Sequence, residues 1–78
     1  MFRTLVKTAT MVIDQQTVDV RYFEEKTARG ARRYSAEIRL GPSDRIILDD
    51  DSMINLEART TRLVPATLLS RMLAGTAA

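Results

Sequence analysis

The chain has 78 residues, a formal net charge of +2, and neither cysteine nor histidine. That length fits one domain, and chains of this size bury only roughly 60 % of the surface their unfolded form exposes. The missing residue types exclude disulfides and nearly all zinc or iron ligation as reinforcement, which leaves association with a second copy as the favoured one.

Hydrophobic residues make up 45 % of the chain and charged ones 28 %, mixed in sign, which is the composition of a folding sequence rather than a disordered one. No apolar run approaches the roughly 20 residues of a spanning helix, and Arg3 and Lys7 interrupt the N-terminal stretch. The expectation is therefore one domain over residues 1–78, soluble and cytoplasmic, with no membrane partner. Charge is unevenly placed. Residues 21–45 hold Arg21, Lys26, Arg29, Arg32, Arg33, Arg39 and Arg45 against Glu24, Glu25, Glu37 and Asp44, a net +3.

In chain order, Leu5, Val6, Ala9, Val12 and Ile13 fit a helix about as well as a strand. Residues 1–13 are read either as an extra strand over 5–13 or as a loosely ordered lead-in. From Thr17 the pattern is unambiguous. Val18, Val20 and Tyr22 alternate with Thr17, Asp19 and Arg21, and Tyr34, Ala36, Ile38 and Leu40 repeat the period of two, which predicts strands over 17–24 and 32–40.

Gly30 places the hairpin turn between them. If facing residues sum to 58, Ala28, Arg29 and Gly30 form a three-residue loop with the glycine in the left-handed position. Arg21 then faces Glu37, Asp19 faces Arg39 and Glu25 faces Arg33, while Val20 meets Ile38 and Val18 meets Leu40 on the other side. A sum of 56 keeps the apolar face but sets Asp19 against Glu37. Each cross-strand pair is worth roughly 0.2–1 kcal/mol, so the first register is expected.

Gly41-Pro42-Ser43-Asp44 has the residues of a tight turn, and Ile46, Ile47 and Leu48 predict a third strand over 45–49. Asp49, Asp50, Asp51 and Ser52 suit the start of a helix, where they accept hydrogen bonds from its free N–H groups. Met53, Leu56, Thr60 and Leu63 follow at spacings of three and four. Pro65 is expected to stop that helix and to open a second one, giving helices over 52–63 and 65–74. The fold class expected is α+β: an antiparallel meander of three or four strands, then two C-terminal helices covering one sheet face.

No catalytic, cofactor or metal residue can be assigned. The three aspartates are consecutive, without the alternating oxygens and loop glycine of a calcium loop. Histidine, the commonest general base, is absent, and no serine has a nucleophile-elbow context. Glycines at 30, 41 and 75 cannot build a phosphate loop. Two surfaces remain. Leu68, Leu69, Met72 and Leu73 form an apolar stripe on the C-terminal helix and are candidate homodimer contacts, with exchange of helices between copies as one arrangement. Lys26, Arg29, Arg32 and Arg33 form a basic hairpin tip, suited either to plain solvation or to nucleic-acid phosphates. The leading expectation is a non-enzymatic homodimeric interaction module, and the alternative is a nucleic-acid-binding protein using the tip.

Overall fold

The computed structural model describes the backbone of residues 3–76 and the side chains of residues 3–74. Four strands, β1 (Arg3–Ile13), β2 (Gln16–Lys26), β3 (Arg32–Gly41) and β4 (Asp44–Asp50), precede one helix, α1 (Met53–Thr76). The strands pair antiparallel in sequence order, a four-stranded meander. The segment before Thr17 is thus a full strand.

The β2–β3 ladder has the register argued from charge: Asp19 opposes Arg39, Arg21 opposes Glu37 and Glu25 opposes Arg33. Gly30 takes φ +82° and its N–H donates to the Thr27 carbonyl at 2.9 Å. A left-handed residue at this point lets three residues close the hairpin, and glycine adopts it without strain.

The β1–β2 turn is built differently. Asp14 (φ 49°) and Gln15 (φ 68°) are both left-handed, as a two-residue turn that matches strand twist requires. Neither is glycine, so the turn is held against a local cost of about 1 kcal/mol or more per residue by the ladder that follows it.

Alternation gives the sheet two unlike faces. Val18, Val20 and Tyr22 of β2 and Ala36 and Ile38 of β3 are buried with Leu56, Val64 and Leu68 of the helix, and Ala9, Met11, Ile13, Ile46 and Leu48 pack around them half-buried. The helix lies chiefly over β3 and β4. The other face carries no covering element among the described residues, and it presents Thr8, Thr10, Asp19, Arg21, Arg39, Arg45 and Ile47 to solvent.

Two bulges set which side chains share that open face. One falls between Leu5 and Lys7, so that Leu5 opposes Phe23 while Lys7 opposes Tyr22. The other falls between Arg39 and Gly41, so that Arg39 opposes Arg45 although Gly41 opposes Asp44. An extra residue in one strand is what a bulge accommodates, and it re-aims every side chain beyond it.

The two expected helices over 52–63 and 65–74 are one continuous helix, with Pro65 inside it. The buried stripe explains why the break does not occur. Leu56, Thr60, Val64 and Leu68 recur every four residues straight through the proline, each at most 5 % exposed. Ending the helix at Leu63 would take Val64 and Leu68 out of that stripe. Pro65 itself is on the exposed side, where the Thr61 carbonyl that lacks its usual N–H partner can bond water. Burial of two large apolar side chains is worth about 1.5–3 kcal/mol each, enough to offset the roughly 3 kcal/mol cost of an interior proline.

Candidate functional site

The start of α1 fixes the fate of the acidic run. Strand geometry at the end of β4 turns Asp49 and Asp50 to opposite faces. Asp50 Oδ1 accepts the Ser52 N–H at 2.9 Å, and Ser52 Oγ accepts the Asn55 N–H at 3.3 Å, the helix cap. Arg59 Nη1 then donates to Asp50 Oδ2 at 3.1 Å and to the Asp49 carbonyl at 2.7 Å. These bonds tie the helix to the strand it leaves.

The Ser52 N–H, aided by Arg59, holds the Asp50 carboxyl below its ordinary value. A depressed folded-state pKa stabilises the fold above the unfolded carboxyl's pKa, about 4, and that contribution is lost as pH falls through the folded value. Asp50→Asn is therefore expected to be less stable than the parent in urea at pH 7, with the gap closing as acid protonates Asp50 in the folded state. An unchanged gap would mean that the Asp50 charge does not matter.

The C-terminal stripe divides. Leu68 is 5 % exposed and belongs to the core, whereas Leu69 (57 %), Met72 (54 %) and Leu73 (60 %) are open. From Leu69 to Ala74 every side chain is exposed. Beside this ridge runs a groove of about 90 Å³ lined by Ile13, Asp14 and Gln16 of the β1–β2 hairpin and by Pro65, Leu68, Leu69 and Met72 of the helix. Ridge and groove share one patch. Three of the four residues expected as dimer contacts are thus exposed, and the β1 end that borders the patch was not foreseen.

The hairpin tip is less free than the sequence suggests. Lys26, Arg29, Arg32 and Arg33 are all exposed. Arg32 Nε lies 3.8 Å from Glu24, Arg33 opposes Glu25, and Lys26 directly faces Arg32. Two of the four cations thus have a carboxylate at hand.

A second basic cluster sits on the open face, at its β3–β4 side. Arg39 and Arg45 oppose each other on β3 and β4, a like-charge pair that costs stability by itself. Arg45 lies 3.9 Å from Glu37, which Arg3 also approaches at 3.8 Å; among the described residues Arg39 has no ion pair within 4.0 Å. Arg39 borders two clefts. One of about 270 Å³ is lined by Thr8, Thr10, Asp19, Arg21 and Glu37 among others, and one of about 140 Å³ includes Arg45 and the Pro42–Ser43 turn. Farther along the face, the Arg3 guanidinium stacks 4.0 Å from the Phe23 ring centre.

Among the described residues no group of three or more acidic side chains could hold a metal ion, and no helix is long and apolar enough to cross a membrane. Comparison with protein-family models, with curated proteins and with solved structures yields no match for this chain.

Proposed function

We propose that the chain is a non-catalytic interaction module that works as a homodimer, joined through the C-terminal half of α1. The observation that carries this reading is the helix beyond Leu68, where every described side chain, Leu69 to Ala74, is exposed and Leu69, Met72 and Leu73 lie on one side. Arg71 ties this extension to Asp44 through two hydrogen bonds of 2.8 and 3.2 Å, but its apolar ridge stays open to water. A contact that buries the ridge removes that apolar surface from solvent, which favours association.

A second copy is the occupant that fits. The ridge lies next to a groove whose floor is apolar at Ile13, Pro65 and Leu68, and the helix leaves Ala9, Met11 and Ile13 of β1 only half-buried. A two-fold axis through such a patch sets each ridge on the other copy's groove, which is the self-complementary surface an isologous dimer needs. The two helices then cross beside the β1 strands, and no exchange of segments is required.

Charge reversal tests the contact. The double variant Leu69→Glu, Leu73→Glu is expected to stay monomeric at every concentration, with an unfolding midpoint that no longer depends on dilution. Ile54→Glu, at the opposite end of the helix and 81 % exposed, is expected to associate like the parent. A double variant that associates as the parent does would remove the proposed contact.

A further inference from the structure

From the open sheet face we infer a second surface, one that binds single-stranded nucleic acid along a diagonal from the Phe23–Arg3 stack to the Arg39–Arg45 pair. It faces away from α1 and stands or falls independently of dimerisation.

The diagonal follows from register. Phe23 and Arg21 are two residues apart on β2, about 6.7 Å along the strand. Arg39 is opposite Asp19 and so diagonal to Arg21, about 7–8 Å away, and Arg45 is directly across from Arg39 at about 5 Å. A planar platform is thus followed along the ladder by three arginine positions at backbone steps of about 5–8 Å, two of which, Arg21 and Arg39, line the larger cleft.

Each part has a chemistry that a single strand supplies. The Arg3 guanidinium lies on the Phe23 ring and offers its outer plane to a base, as arginine and aromatic planes do in single-strand recognition. Arg39 and Arg45 repel each other when empty-handed, and a phosphate between them turns that repulsion into two charge-assisted forks. The two carboxylates on the path are already engaged. Glu37, only 12 % exposed, has Arg3 and Arg45 within 4.0 Å, and Asp19 Oδ1 accepts the Thr10 hydroxyl at 3.5 Å. Thr8 adds a hydroxyl donor at the rim of the cleft. A duplex cannot offer unstacked bases to this platform, whereas a single strand can.

The test is fluorescence anisotropy with a mixed-sequence single-stranded oligonucleotide and its duplex, titrated between low and near-physiological salt. The parent is expected to bind the single strand more tightly than the duplex, with a log–log salt slope near −2 for about three phosphate contacts. Arg39→Gln with Arg45→Gln should reduce the slope to about −0.7, and Phe23→Leu should weaken the single strand while leaving any duplex binding unchanged. Each shortens its side chain without introducing a new charge, and thermal melts of each variant report whether the fold is intact. Lys26→Gln with Arg29→Gln at the tip should change little. No binding at low salt, a preference for duplex, or a loss confined to the tip variant would each overturn the inference.

Discussion

Leu56→Ala is expected to lower stability by about 2–5 kcal/mol, the range for emptying a fully buried leucine site. Leu56 is fully buried and sits one turn into α1. It belongs to the buried cluster that joins the helix to Ala36 and Ile38 of β3, with Thr60 and Val64 following it in the same stripe. Thr60 sends its hydroxyl back to the Leu56 carbonyl at 2.8 Å, so the stripe's one polar member brings no unpaired group into the core. A chain of this length has about 4–12 kcal/mol of stability in all. The substitution therefore removes a large share of it, and the melting temperature should fall by at least about 8 °C. Urea denaturation of parent and variant gives the difference directly. A loss under about 1 kcal/mol would place Leu56 outside the core and the helix elsewhere.

Pro65→Ala is expected to act in the opposite direction. An interior helical proline costs about 3 kcal/mol relative to alanine, because it removes one N–H and its ring crowds the preceding turn. Alanine restores the donor to the Thr61 carbonyl. Part of the gain is offset because proline also restricts the unfolded chain, by about 0.4–1 kcal/mol, and because the ring lines the groove beside Leu68. The net expectation is a stabilisation of about 1–2 kcal/mol, together with greater helical ellipticity. If the chain instead bent into two helices at Leu63–Pro65, alanine would disturb that bend and destabilise the protein.

The proline also shows where reading a sequence locally reaches its limit. Residue by residue, Pro65 and the restricted Val64 before it argue for a break. The spacing Leu56, Thr60, Val64, Leu68 argues for continuity, and that spacing is visible only if the threonine is allowed into the apolar stripe. Burial of the stripe is cooperative and outweighs one lost hydrogen bond.

The sheet divides in the same way. The β2–β3 register was legible because opposite charges and a glycine turn agree on it. β1 was ambiguous because its turn, Asp14-Gln15, lacks the glycine that marks a left-handed hairpin. The Arg39–Arg45 pair could not be foreseen. An unbulged two-residue turn at Pro42-Ser43 sets Arg39 against Ile46, and only the bulge before Gly41 brings the arginines together. The Arg3–Phe23 stack depends likewise on the bulge at Val6. Bulges have no residue signature as strong as a glycine turn, so surfaces that depend on them emerge only from the fold. The hairpin tip, by contrast, was easy to find in the sequence, and the folded chain partly neutralises it through the Arg32–Glu24 pair.

Sedimentation equilibrium of the unmodified chain across about a hundredfold dilution tests the proposed assembly most directly. One chain weighs 8.8 kDa. A dimer gives twice that mass at the concentrated end, falling toward the single-chain value on dilution as the C-terminal ridges separate. A mass of 8.8 kDa at every concentration would contradict it and leave α1 beyond Leu68 without the partner proposed for it.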